Sequence, residues 1–211
     1  MDLFTVITAD VINSRQQGAV VEEKKKGLSE LVSLELLTPF SFSRGDEIQG
    51  VCVSRQISPA LLRQLRYFCL PLKLRIGIGW GRITSGLGVK SSWQMDGPAF
   101  YRARQALEEV KKDWRLHTML VSGDQAFDQA VNALFTLYDT IQSRWTTEQW
   151  EGVMVYEEAG TYQKAADRLG VAFQNVEKRC RAAHWWVIQT AEEALQQMPS
   201  KLTSVHPLVG E

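Results

Sequence analysis

Asp10, Asp46 and Glu47 are carboxylates that can do chemistry if the fold gathers them. Asp10 closes the apolar run 3-LFTVITAD-10, and Asp46-Glu47 sits in 41-SFSRGDEIQGVCV-53, a charged turn between two apolar runs. A divalent cation such as Mg²⁺ or Mn²⁺ takes a few carboxylate oxygens and completes its shell with substrate phosphates. Two such ions activate a hydroxyl and steady a leaving pyrophosphate. On that reading Asp10, Asp46 and Glu47 are metal ligands, with Asp10 and Asp46 the catalytic pair. The same residues also suit plain structure, since Asp caps a loop after a strand and Asp-Glu is a favoured turn pair.

A second constellation lies in 162-YQKAADRLGVAFQNVEKRCRAA-183, where Lys164, Arg168, Lys178, Arg179 and Arg181 outnumber Asp167 and Glu177. Ala166 is small where two helices must cross, Gly170 can take positive φ in a tight turn, and Val176 returns to the first helix. The second helix then presents Phe173, Gln174, Asn175, Glu177, Lys178 and Arg181 outward, of which Phe173, Gln174, Asn175, Lys178 and Arg181 are the candidate DNA contacts. Gln and Asn pair with adenine, while Lys and Arg suit guanine or phosphate, so the partner implied is DNA. The bland alternative is a helical hairpin used for packing or dimerisation.

The elements that must position these groups follow from periodicity. Leu3 to Ala9 predicts a buried strand, and the apolar positions from Val20 to Leu37 predict a helix stopped by Pro39. Phe40 to Arg44 and Ile48 to Val53 predict a hairpin turned at Gly45-Asp46. Ser58-Pro59 opens a helix to Phe68, and 72-LKLRIGIGW-80 alternates as a half-buried strand. Gly81 to Trp93 reads as a loop or small hairpin, and Pro98 to Trp114 as a helix. Leu116 to Val121 predicts a strand, and a helix opened by Ser122-Gly123-Asp124 runs to Arg144.

This order contains a β-α-β-β-α-β unit and predicts an α+β, ferredoxin-like sandwich with helices on one face of its sheet. Beyond Trp145 the pattern is wholly helical, with a Thr146/Gln149 capping box. The domains expected are 1–143, α+β; 144–198, all-α; and 199–211, a flexible tail.

A chain of 211 residues with 45% hydrophobic and 23% charged residues suits a folded protein of one domain plus a small module. Its zero net charge means that any nucleic-acid surface is local. Cys52, Cys69 and Cys180 form no ligand pattern and read as reduced core thiols of a cytoplasmic protein. No apolar run reaches the roughly 20 residues that span a bilayer, and the N-terminus reads as a strand, not a signal peptide. His184 reads as interfacial packing, His117 as a semi-buried strand residue, and Trp145, Trp150, Trp185 and Trp186 as mostly core positions.

Residues 162–183 resemble the helix-turn-helix of sigma-factor region 4, with Cys180 where such proteins usually carry Leu. The ordered set ITAD, RGDE, LRIGIGWG and MDGPAFYRARQALE resembles the palm domains of class III nucleotide cyclases and of GGDEF proteins. That resemblance implies nucleotide contacts at Arg44, Gly45 and Arg104, carboxylate-bound Mg²⁺ or Mn²⁺, and pairing into a homodimer. The cyclase helix supplies an Asn and an Arg four residues apart. Phe100/Arg104 and Tyr101/Gln105 are the two registers here, and neither keeps the pair.

As a whole the chain resembles the SatD family, small bacterial proteins of this length with an MDGPAFYRAR-like segment. The reading that results is a DNA-binding transcriptional regulator whose degenerate palm serves nucleotide or metal sensing or dimerisation. The alternative is an active metal-dependent nucleotidyl cyclase or nucleotidyltransferase with an accessory helical domain.

Overall fold

The structure, a computed structural model, describes residues 2–43, 45–113, 115 and 117–205, with the backbone alone for 200–205. The chain forms two compact units, one of residues 1–136 with the chain from Leu195 on, the other Leu137–Ala194.

In the first unit, β1 (Phe4–Val11), β2 (Leu36–Phe42), β3 (Glu47–Cys52), β4 (Leu74–Gly81) and β5 (Thr118–Val121) form one sheet in the order β2-β3-β1-β4-β5. All pairings are antiparallel except β4 with β5, so the sheet is mixed and the class is α+β. Every residue of β1 is buried, which suits a strand flanked on both sides and covered on both faces. α1 (Gly18–Gly27), α2 (Pro59–Cys69), α3 (Pro98–Lys112) and α4 (Gln125–Gln142) surround the sheet.

The period-two alternation assigns the faces. Ile7, Ala9, Ile48, Ile76, Ile78 and Trp80 share one core with Val21 of α1, Leu61, Leu62 and Leu65 of α2, and Phe127 and Val131 of α4. On the opposite face Phe4, Val6 and Val51 pack with Ala99 and Ala103 of α3. Helices therefore lie on both faces of the sheet, where the sequence predicts one.

The reason is the glycine series of β4. A Cβ at Gly77 or Gly79 would fall on the main chain of α3 around Ala99, Ala103 and Leu107, and one at Gly81 would lie 2.6 Å from the Ala99 nitrogen. The residues between the apolar positions of LRIGIGWG are not a solvent face. They are a slot into which α3 settles backbone-first.

Two further expectations give way. The predicted helix to Leu37 ends at Gly27, a 3₁₀ turn covers Leu28–Glu30, and β2 starts at Leu36. Leu28 is fully buried while Val32 and Leu34 are 82% and 98% exposed, so the apolar spacing there marks no helix face. Pro39 lies inside β2 and stops no helix. β2 is an edge strand with register shifts between Leu36/Thr38 and Thr38/Ser41, which is where a residue without an N–H is tolerated. The hairpin loop is also longer than Gly45-Asp46, since the Ser43 N–H donates to the Glu47 carbonyl at 2.8 Å.

The remaining starts follow their residues. The Ser58 hydroxyl accepts from the Leu61 N–H ahead of Pro59, and Asp124 Oδ1 accepts from the Phe127 N–H at 3.0 Å. Along β5 the Leu120 N–H donates to Asn132 Oδ1 at 2.7 Å, and Asn132 Nδ2 donates back to the Leu120 carbonyl at 2.9 Å.

The second unit holds the last turns of α4, then α5 (Thr147–Ala159), α6 (Tyr162–Leu169), α7 (Phe173–Ala182) and the first turns of α8 (Trp185–Val205). The Thr146/Gln149 capping box opens α5 as expected. Trp145 stands edge-on to Trp150 at 4.8 Å and to Trp185 at 6.4 Å, and its Nε1 donates to the Ala183 carbonyl at 2.8 Å. Trp186, in contrast, is 68% exposed, and His184 is exposed with φ 52° at the α7–α8 junction. α8 continues through Pro199 to Val205, where the sequence predicts a tail; residues 206–211 lie outside the described residues. Among the described residues no helix is long and apolar enough to cross a membrane.

Gly79→Ala should force α3 off β4 and cost on the order of 2–4 kcal/mol in denaturant unfolding. Gly18→Ala is the control. Its Cβ meets nothing within 4 Å, so its stability should stay within about 1 kcal/mol of the parent.

Candidate functional site

Asp10 and Glu47 are cross-strand partners on the α3 face of the sheet, and Arg75 pairs with Asp10 from the other side. Asp10 is buried. Its Oδ2 lies 3.5 Å from Arg75 Nη1 and 3.7 Å from Lys111 Nζ, which reaches over from the last turn of α3. Its Oδ1 is buried without a hydrogen-bond partner. Burial raises the Asp10 carboxyl above its ordinary value. Lys111 and then Arg75 pull it down, and the charges of Asp46 and Glu47 push it up.

The structure therefore does bring Asp10, Asp46 and Glu47 within electrostatic reach, but it adds Arg75 and Lys111. A divalent cation does not fit this set. Two fixed positive groups already flank Oδ2, and no cluster of three or more His, Cys, Asp or Glu able to hold a metal occurs among the described residues. Asp10, Arg75 and Lys111 instead make an internal ion cluster that ties β1 to β4 and α3.

Of the nucleotide contacts implied by resemblance, Gly45 is exposed at the hairpin tip and Arg44 lies outside the described residues. Arg104 is exposed on α3 and borders a cleft of about 150 Å³. The cleft floor is Thr8 and Gln49, the next cross-strand pair along the face that carries Asp10 and Glu47. Its walls are Trp93 and the first turns of α3, Phe100 and Tyr101. Sequence reasoning missed Thr8, Gln49 and Trp93. The alternation of β1 and β3 was the available signal, since it puts Thr8 with Asp10 and Gln49 with Glu47.

In the second unit α6 and α7 are joined through Gly170, whose φ of 65° is the left-handed conformation the tight turn needs. Ala165, Ala166 and Val176 are buried between the helices, as their types predict. Cys180 is 2% exposed, with its Sγ 3.8 Å from the Gly152 carbonyl, so it packs as a small hydrophobe against α5. Phe173, Gln174, Asn175, Lys178 and Arg181 are all exposed along the outer side of α7, while Glu177 and Arg179 beside Lys178 are half-buried.

The basic surface is smaller than composition suggests. Arg179 turns inward to Glu151 at 2.9 Å and covers Gly152, and Arg168 meets Glu158 at 3.5 Å. Lys164, Lys178 and Arg181 remain open to solvent. The thiols are buried and free, as predicted. Burial pushes Cys52 and Cys69 up to about 12 and Cys180 to about 11, which leaves them poor nucleophiles.

These observations define the class as an α+β protein carrying a mixed sheet and a helical unit. The model of the SatD family matches residues 4–196, and the chain belongs to that family. It is similar to a solved structure of a regulator of polyketide synthase expression from Bifidobacterium adolescentis. The identity is 12%, the match covers 94% of this chain and 81% of that one, and the TM-score is 0.25. No curated protein matches it.

Asp10 makes a pH prediction. Its raised value means that the folded state holds the proton more tightly than the unfolded chain. Its contribution to stability is therefore full below the ordinary value of 3.8 and is lost as pH rises through the folded value. Melting temperatures of Asp10→Asn and the parent, compared from acid to neutral pH, should diverge in favour of Asn as pH rises. A gap independent of pH would refute the shift.

Proposed function

We propose that this SatD-family protein is a bacterial DNA-binding transcriptional regulator. In this reading α6 and α7 form a helix-turn-helix with α7 as the recognition helix, within a domain of residues 144–198. The observation that carries it is the division of α7. Val176 and Cys180 are buried, while Phe173, Gln174, Asn175, Lys178 and Arg181 lie together on the solvent side. A helix used only for packing has no need of an amide pair and two cations that make no ion pair among the described residues on its outer side.

The α+β domain, residues 1–143, is a palm-like, ferredoxin-like module with the nucleotide-cyclase arrangement of strands, and it serves as a nucleotide sensor and dimerisation unit. Supporting this are the antiparallel order β2-β3-β1-β4 and the Arg104-bordered cleft. One short recognition helix supplies little specificity alone, so a homodimer reading two half-sites is expected. The protein would work in the cytoplasm, consistent with its three free thiols.

Anisotropy titrations on fragments from its own promoter region test the reading. Affinity should fall with salt. Lys178→Ala with Arg181→Ala should weaken binding at least about tenfold and flatten the salt slope by about two charges. The absence of any affinity above background at low salt would overturn it.

A further inference from the structure

The cleft between β1, β3 and α3 has the makings of a small-molecule site. Thr8 and Gln49 on its floor are each only 7% exposed. Neither side chain hydrogen-bonds to the protein among the described residues, and neither is sealed off as the Asp10 Oδ1 atom is. Their polar atoms therefore face the cleft. Burying a carboxamide and a hydroxyl without partners is costly unless water or a ligand satisfies them.

The surrounding groups, by contrast, are fixed. The Trp93 indole donates to Ser41 Oγ at 3.0 Å, and the Ser92 hydroxyl donates to the Gln49 carbonyl at 3.4 Å. Asp96 accepts from the Tyr101 hydroxyl and from the Gly97 N–H, each at 2.8 Å. Rigid walls around unsatisfied floor groups are what a preformed pocket requires. Arg104 stands at the rim without an ion pair among the described residues.

We infer that this cleft binds a planar heterocycle with an amide-like donor–acceptor edge and an anionic substituent. A carboxamide matches such an edge bidentately, as Gln does with a nucleobase, and Thr8 adds one more donor or acceptor. Trp93 and Phe100 line the cleft and supply aromatic surface to the ring. A cavity of about 150 Å³ holds one base-sized ring, so the charged substituent lies outside it, where the Arg104 guanidinium takes an oxyanion.

This chemistry has two sources, nucleoside monophosphates and free heteroaromatic carboxylates. The inference deepens the sensing role proposed above and rests on it only for its consequence at DNA.

Calorimetric titration of the full chain with AMP, GMP, CMP, UMP and orotate distinguishes the two sources. Saturable binding of at least one is expected, with a fluorescence change lost in Trp93→Phe. Arg104→Ala should weaken it at least about tenfold, as should Gln49→Met, both with unchanged melting temperature. Silence from all five into the millimolar range overturns the site even if DNA binds, and so does binding that ignores both substitutions. Binding that leaves DNA affinity unchanged supports the site and removes the sensing role alone.

Discussion

A helix comes as close to a sheet as the side chains between them allow, and along one face of β4 beyond Arg75 there are none. Gly77, Gly79 and Gly81 receive Ala99, Ala103 and the backbone around Leu107, so α3 is held by main-chain contact. What the first unit presents on that face depends on this seat. It places Lys111 over Asp10 and sets Phe100, Tyr101 and Arg104 along the cleft. It also lets the Arg102 guanidinium donate to the carbonyls of Trp80 and Ser122 at 2.8 and 2.9 Å, which ties α3 to the ends of β4 and β5. A shift of an ångström in the helix would disturb all three.

Asp10 shows how that seat changes electrostatics. A buried carboxylate with like charges nearby is unfavourable in isolation. Here Arg75 arrives from β4 and Lys111 from α3, and their charges offset part of the cost, as a bound cation would. The two long contacts leave Oδ1 without a hydrogen bond, so the compensation is incomplete and the proton affinity stays high.

How far the sequence was readable depended on the range of the interaction. The α6–α7 pair was legible because Ala166, Gly170 and Val176 act through local spacing, and helix starts at Ser58-Pro59 and Thr146 were legible for the same reason. Misreadings came where a residue's role was set by a distant partner. Gly77 and Gly79 look like part of the polar side of a half-buried strand until α3 fills them. Val32 looks like part of a helix stripe although it is 82% exposed. The counter-ions of Asp10 sit far along the chain, at Arg75 and Lys111 on other elements, and no spacing rule links them. Arg179 looked like part of a nucleic-acid surface, yet its charge is committed to Glu151.

The Asn132 amide that mirrors the Leu120 peptide has a consequence for the life of the protein in a crowded solution. A strand margin with free donors and acceptors is a template on which another chain can grow, and that growth leads to aggregates. At the β5 margin a side chain already occupies the place of the next strand. At the β2 margin Pro39 withholds a donor and the register shifts break the row. Intermolecular sheet extension would have to evict a bound amide on one side and bridge an interrupted ladder on the other. Both margins therefore protect this sheet from templated assembly.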